Sequence, residues 1–207
     1  MTHTTIEIPN LKELKFVDDT HTYSVNGIVI PSVSTVMEPL NAEKYRGISE
    51  STLDNAANKG TSVHNAIENY LKFGIEDVLP EHKPYFDGFL EWWHEKDRTL
   101  VASELRLYHK LMMYGGTLDI LHISDGLLTL TDIKTTYVIS DMTCRVQLEA
   151  YAQALASHCI YIDKKDILHL TKNGRGKPVD YYDTKDAEAW RVFGSLKCVY
   201  DYIGRTK

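Results

Sequence analysis

The chain has 207 residues, 43% of them hydrophobic, and a formal net charge of −6. That is enough apolar content for one sizeable core, but no run of 18 apolar residues exists, which excludes a membrane-spanning helix. The acidic balance excludes a protein that coats DNA through a general basic surface, though not an enzyme that grips phosphate locally.

Three cysteines, Cys144, Cys159 and Cys198, are far apart and odd in number, which suits free thiols rather than a disulfide framework or a CxxC metal site. There is no GxxxxGK[ST] phosphate loop, so a nucleotide-driven motor is excluded. The opening MTHTTIEIPNLKELKF lacks a basic start followed by an apolar stretch. No secretory leader is therefore expected, and the expected compartment is the cytoplasm, or the host cytoplasm for a phage-encoded protein.

In chain order, residues 15–36 alternate around Asn26-Gly27 and predict an N-terminal hairpin that Pro31 ends. A short helix is expected over 49–58 with Gly60 as its stop. A second, capped by Thr61 or Ser62, runs to Leu71 and is closed by Gly74. Residues 81–97 predict a helix whose Phe86, Phe89, Trp92 and Trp93 fall at the spacing of a core stripe. Strands follow at about 100–109, 116–123 and 127–134, then a helix over 142–157 and a strand at 166–171. The basic turn Lys172 to Lys177 and a last helix from Asp186 to Tyr202 complete the chain. The expected fold is α/β: a mixed central sheet with helices on both faces, an N-terminal hairpin and a helical elaboration. A single domain is expected, with a hairpin extension over 1–48, a helical part over 49–98, an αβββαβ core over 99–171, and the basic turn and last helix over 172–207.

The stretch GGTLDILHISDGLLTLTDIKTT, residues 115–136, carries charges where a core hairpin should be apolar. Asp125-Gly126 predicts a two-residue type I′ turn, so that Ser124 pairs with Leu127, Ile123 with Leu128 and Leu121 with Leu130. Continued, the same register sets Asp119 against Asp132 and Thr117 against Lys134, all on one face. Directly opposed like charges are destabilising unless a cation compensates them. Lys134 is one such cation; a divalent metal is a better one, because hard ions prefer carboxylate oxygens. The other reading is an ordinary ion-pair cluster at a solvated strand end. Four further residues bear on the choice: His64 on the helix after Gly60, Glu104 on the first strand of the sheet, and Gln147 with Tyr151 one turn apart on the next helix.

Taken together these residues resemble the PD-(D/E)xK nuclease superfamily, in its RecB-type exonuclease branch. The resemblance rests on His64 in GTSVH, Asp119 in GGTLD, Asp132-Ile133-Lys134 as the (D/E)xK element, and Gln147 to Tyr151 as QxxxY. The upstream HTYSVNGIVIPSVS is similar to the N-terminal region of phage and mitochondrial-genome-maintenance exonucleases of this branch, and the likeness spans roughly residues 16–171. Asp132 departs from the glutamate usual in the branch. The resemblance implies a restriction-endonuclease-like core and a metal-dependent DNA exonuclease, phage-type, in replication, recombination or DNA degradation. A structure-specific endonuclease and an inactive DNA-binding or inhibitor protein on the same fold are the alternatives. It implies one or two Mg²⁺ or Mn²⁺ ions held by His64, Asp119, Asp132 and the Ile133 carbonyl. Glu104 is assigned to a second ion or to a metal-bound water. No iron–sulfur cluster is expected, since the four flanking cysteines that relatives use are missing. Lys134 would orient the attacking water, and Gln147 and Tyr151 would hold the lysine or contact DNA. The DNA, single-stranded or an end-bearing duplex, would meet Lys172, Arg175, Lys177 and Arg145, with Lys44, Arg46 and Lys59 as further basic candidates. No protein partner is implied.

Overall fold

The computed structural model describes residues 6, 8–181 and 185–205. The fold is α/β, built on a mixed five-stranded sheet with helices on both faces and a smaller antiparallel sheet at the N-terminal end.

The small sheet has three strands, β1 (Leu14–Val17), β2 (Thr22–Val25) and β3 (Ile28–Ile30), one more than the hairpin expected. Asn26 and Gly27 join the last two with φ of 51° and 82°, both positive as a type I′ turn requires. Pro31 follows β3, and its carbonyl accepts from the Gly115 N–H at 2.9 Å, which ties the small sheet to the large one. Gly115 lets this happen: a Cβ there would lie 2.9 Å from the buried Tyr23 ring.

Two short helices follow, α1 (Val33–Val36), capped by Ser32, and α2 (Glu38–Lys44). The next helix, α3 (Glu50–Phe73), is continuous, where two helices broken at Gly60 were expected. An interior glycine weakens a helix by only about 1 kcal/mol and ends it only where the chain turns left-handed. Gly60 does not turn, and its bare Cα sits against Thr135; Gly74, at φ 69°, does turn and caps the helix. Ser49 caps the other end, accepting from Thr52 N. Helix α4 (Lys83–Glu95) carries the aromatic stripe into the core, with Phe86, Phe89 and Trp92 buried.

The large sheet runs β4 (Arg98–Tyr108), β5 (Gly115–Ser124), β6 (Leu127–Lys134), β7 (Lys164–Leu170) and β8 (Gly176–Tyr181), in that spatial order. Only β6 and β7 are parallel, joined through α5 (Asp141–Ser157). Strand β8 is not foreseen by the sequence. Its first two residues, Gly176 and Lys177, fall in the expected basic turn, whose glycines dominate the local pattern. Asp125 and Gly126 have φ of 53° and 77°, and the ladder runs in the expected register from Ser124↔Leu127 through Leu121↔Leu130 to Ile120↔Thr131. It stops there, so the expected Asp119–Asp132 and Thr117–Lys134 pairs do not form: Asp119 takes the Ile133 N–H on its side chain instead. The last helix is α6 (Ala187–Arg205).

The sheet separates two apolar layers. Leu118, Leu121, Leu130 and Ile167 pack with Leu148 of α5 and Phe193 of α6 on one side. Ile120, Ile133, Leu168 and Leu170 pack with Ile67 of α3 and the aromatics of α4 on the other. Leu118 and Leu121 are three residues apart yet face the same layer, so β5 loses its alternation between them, at Asp119. Thr117 consequently turns away from this layer; its hydroxyl meets the Tyr23 hydroxyl at 2.7 Å rather than Lys134. No helix among the described residues is long and apolar enough to cross a membrane.

Candidate metal centre

Three side chains from three elements converge where β5 is irregular. His64 comes from the middle of α3, Glu104 from β4 and Asp119 from β5, and one ligand atom of each lies within 4.8 Å of the others. His64 Nδ1 is 3.4 Å from Asp119 Oδ1 and 3.5 Å from Glu104 Oε1. Glu104 stands at φ 48°, the one non-glycine residue inside a strand with positive φ among the described residues. Left-handed backbone at a non-glycine residue costs roughly 1–3 kcal/mol and persists only where surroundings enforce it. Its neighbours Ser103 and Leu105 pair with Ile120 and Leu118, so Glu104 lies beside Asp119 at the break.

On the far side of Asp119, the Ile133 N–H donates to Asp119 Oδ2 at 2.6 Å. Asp132 and Lys134 flank that residue and belong to the other face. Lys134 Nζ lies 2.7 Å from Asp132 Oδ2 and donates to Gln147 Oε1 at 2.9 Å. Gln147 Nε2 in turn reaches the Tyr151 hydroxyl at 3.4 Å. The Lys134–Asp132 contact is an ion pair by distance, but it lacks hydrogen-bond direction, and Asp132 Oδ2 accepts no hydrogen bond among the described residues. The Lys134 ammonium is the cation that this buried oxygen faces.

The electrostatics divide the acids. Burial penalises the His64 imidazolium, but Asp119 and Glu104 outweigh it and hold the His64 pKa well above the ordinary histidine value. Burial also opposes ionisation of Asp119, yet His64 beside it, with Lys134 and the Ile133 N–H, keeps that carboxyl below its usual range. Burial raises Glu104. Asp132 is pushed up to about 6, first by burial and then by the Asp119 charge, with Lys134 opposing. Lys134 is held above a free lysine because Asp132 and Asp119 overcome its burial. A proton on His64 and a charge on Lys134 thus occupy the places where a divalent ion would neutralise the same carboxylates. The donor set, one imidazole nitrogen with carboxylate oxygens, is one that could hold a divalent metal ion. A quarter of the His64 side chain (25%) is open to solvent, so the cluster can be reached.

The basic candidates separate. Arg145 gives its Nε and Nη2 to Asp186 at 2.7 and 2.9 Å and also reaches Glu188, so its guanidinium is committed within the protein. Lys172 and Arg175 stand on the β7–β8 turn, whose Arg175–Gly176 backbone packs directly on Gly88 of α4. Lys177 lies in β8. Lys134, His169 and Lys177 face each other in register across β6, β7 and β8. Arg46 pairs with Glu43, and Lys44 lies over the Tyr45 ring.

Sequence reasoning did not foresee what fixes the segment after Lys134. Lys59 Nζ donates to the Thr135 carbonyl at 2.8 Å, and His169 Nε2 bonds the Thr136 carbonyl at 2.7 Å. His169 carries no motif, and Lys59 is expected only as a basic candidate for DNA, not as a brace for this segment.

No protein-family model matches this chain. No curated protein matches it. Among solved structures it is similar to one titled "Crystal structure of SSO0001", with 12% identity over 82% of this chain and 74% of that chain and a TM-score of 0.46.

Proposed function

We propose that this protein is a Mg²⁺- or Mn²⁺-dependent DNA exonuclease on a restriction-endonuclease-like core, resembling the RecB-type branch of the PD-(D/E)xK nucleases. The observation that carries the reading is the adjacency of two groups through Asp119 and Ile133. One is the His64–Glu104–Asp119 cluster, and the other is the Asp132–Lys134–Gln147–Tyr151 chain. A structural ion-pair cluster has no need of a strained Glu104 backbone.

In this reading Asp119, Asp132, His64 and Glu104 hold one or two divalent ions. When bound, such an ion neutralises the phosphodiester's developing charge and makes water a better nucleophile. The remaining work falls to the protein. Lys134, kept protonated by Asp132 and Asp119, cannot serve as a base. It holds the attacking water and then the charge on it, in line with the phosphorus. Gln147, itself braced by Tyr151, fixes the lysine's direction. Water adds to phosphorus and gives up a proton to solvent, the bond to the leaving oxygen breaks, and that oxygen takes up a proton from solvent, leaving one strand with a phosphate and one with a hydroxyl. Lys172, Arg175 and Lys177 supply the local positive charge that an acidic chain needs to hold DNA. The proposed place of action is the cytoplasm, in phage-type replication, recombination or DNA degradation.

The test is cleavage of 5′- and 3′-end-labelled single- and double-stranded DNA with Mg²⁺ or Mn²⁺, with circular single-stranded DNA run in parallel. Metal-dependent shortening of linear DNA, lost in Asp132→Ala and Lys134→Ala, is expected. Cleavage of the circle would make the enzyme an endonuclease, and no cleavage of any substrate would sink the reading.

A further inference from the structure

At the end away from the metal centre, the sheet face that carries the α3–α4 layer turns polar. Arg98, Ser124 and Leu127 stand side by side across β4, β5 and β6, and His122, Thr129 and Lys164 form the next row across β5, β6 and β7. Thr131 and Asp166 pair in register beyond them. The C-terminal end of α4 roofs these residues with Trp92 and Lys96, and a cavity of about 90 Å³ lies between. Strand β6 runs from Leu127 at the cavity to Asp132 near the metal centre, about 17 Å along the strand, so the two places are distinct.

Three buried side-chain atoms of residues lining the cavity have no hydrogen-bond partner among the described residues: Arg98 Nε, His122 Nδ1 and Ser124 Oγ. Buried polar atoms are nearly always bonded, so three such atoms around one cavity point to an occupant. Two of them have a defined sense. The Thr131 hydroxyl donates its one proton to Asp166 Oδ1 at 2.6 Å, so it can only accept from His122 Nε2, 3.1 Å away. His122 therefore carries its proton on Nε2, and Nδ1 is a bare acceptor on a side chain that is 2% exposed. Burial, then Arg98, pushes the His122 pKa down to about 4, which keeps the ring neutral. Arg98 is the opposite case. Its Nη1 donates to the Trp92 and Trp93 carbonyls, and its Cζ lies 4.2 Å from the Trp92 ring centroid. The guanidinium is thereby fixed, with Nε as a donor that meets no acceptor.

The charges agree with this pattern. Lys96 pairs with Asp125 at 2.9 Å and Lys164 lies 3.6 Å from Asp166, whereas Arg98 has no carboxylate partner among the described residues. The lining holds three cations against two carboxylates. Water can meet the hydrogen bonds but leaves a partly buried guanidinium without a counter-ion. The occupant must accept from Arg98, donate to His122, bond the Ser124 hydroxyl and carry a negative charge. A cavity of this size has room for about three waters or one tetrahedral ion, and none for a nucleoside.

We infer that this cavity binds a singly charged, proton-bearing inorganic phosphate: its oxygens accept from Arg98 Nε and Ser124 Oγ, and its P–O–H donates to His122 Nδ1. The site stands apart from the metal centre and does not depend on the nuclease reading. Because the ion binds the folded chain alone, it stabilises the end of the sheet where α4 meets the β5–β6 turn.

The experiment follows thermal unfolding and calorimetry of the full chain at pH 7 with phosphate, sulfate or chloride at equal ionic strength. EDTA is present, so that the metal centre stays unloaded. Phosphate should raise Tm saturably and bind at one site. Sulfate stabilises proteins non-specifically much as phosphate does, but at pH 7 it has no proton to give His122. It should bind at least about ten-fold more weakly. Ser124→Ala and His122→Phe should each weaken phosphate about ten-fold, while Ser195→Ala, an exposed serine on α6, should not. Thymidine 5′-monophosphate should not compete. Circular dichroism checks that each variant is folded, and if His122→Phe is not, Ser124→Ala decides. The absence of a saturable phosphate effect, an equal effect of sulfate, competition by the nucleotide, or wild-type binding by Ser124→Ala overturns the site.

Discussion

The Ile133 N–H is bonded to the side chain of Asp119, not to the backbone of β5: Oδ2 accepts at 2.6 Å. Had the ladder continued in register past Ile120↔Thr131, that N–H would have met the Leu118 carbonyl. Asp119 intercepts it, and on the other edge the Glu104 backbone turns left-handed beside it. Two ladders are therefore interrupted at one residue. The break leaves Asp119 Oδ1 facing His64 and opens the sheet where the metal centre is proposed.

Asp119 has two separable duties. Asp119→Asn keeps an acceptor for the Ile133 N–H but removes the charge, so the protein should stay folded and lose divalent-metal binding. Asp119→Leu also strands that buried N–H and should lose about 1–3 kcal/mol of stability. Urea denaturation and metal calorimetry of both variants check this; equal stability of the two would show that the captured N–H contributes nothing.

Metal binding should release a proton. Asp119 and Glu104 hold the His64 pKa well above its ordinary value despite burial, so below that pKa an ion must displace the imidazole proton before it can be ligated. Apparent affinity should rise with pH, by about ten-fold per unit while His64 is protonated, and level off above its pKa. Calorimetry in two buffers of different ionisation enthalpy should give about one proton per ion, and none in His64→Ala.

Lys134 should matter for turnover rather than for the metal. Lys134→Met removes the group proposed to steady the attacking water and should lower kcat by about 10²–10³-fold with metal affinity retained. Gln147→Ala leaves the lysine in place but free to swing, so a smaller loss is expected, about ten-fold and in kcat rather than KM. A fall in KM-dependent binding alone would mean that Gln147 contacts DNA.

Most of the frame is legible because turns and patterns carry local physics. Asp125-Gly126 forces positive φ at two positions and so sets the β5–β6 register, and the aromatic spacing of α4 sets which face is buried. What is not legible depends on partners distant in the chain. The continuity of α3 through Gly60 and the departure of Thr117 toward Tyr23 are decided by tertiary contacts that no local pattern encodes. The left-handed Glu104 and the commitment of Arg145 to Asp186 arise in the same way. Strand β8 was hidden because Gly174 and Gly176 dominate the local signal while the pairing that makes the strand comes from β7.

His122 supplies a pH dependence independent of the metal. It is buried beneath Trp92 and Trp93. Burial, then the nearby Arg98, pushes its pKa down to about 4. Between that value and the unfolded value near 6.5 the unfolded chain binds the extra proton. The neutral histidine's contribution is therefore complete above pH 6.5 and is lost as pH falls toward 4, at most about 3 kcal/mol. Asp132, raised to about 6, has the opposite slope in this window. The readout is accordingly the difference between wild type and His122→Gln in urea at pH 7 and pH 4.5. The gap between them should shrink as pH falls, and a constant gap would show that His122 is not held neutral.

Two glycine-to-alanine changes should move stability in opposite directions. A Cβ on Gly116 would lie 2.6 Å from Tyr151 Cε1 and 3.3 Å from Val33 Cγ2. Both are buried side chains in the layer between β5 and α5. Neither can retreat without disturbing the packing, so Gly116→Ala should lose about 1–3 kcal/mol. Because Tyr151 braces Gln147 and Gln147 holds Lys134, the same change should lower kcat with metal affinity intact. Gly194 is different. It lies in α6, where an added Cβ meets nothing within 4 Å. Alanine there reduces unfolded-chain freedom and favours the helix, so Gly194→Ala should gain about 0.5–1 kcal/mol. Thermal unfolding of both variants and steady-state cleavage by Gly116→Ala decide it. A stable, fully active Gly116→Ala would mean that Tyr151 is not needed where it stands.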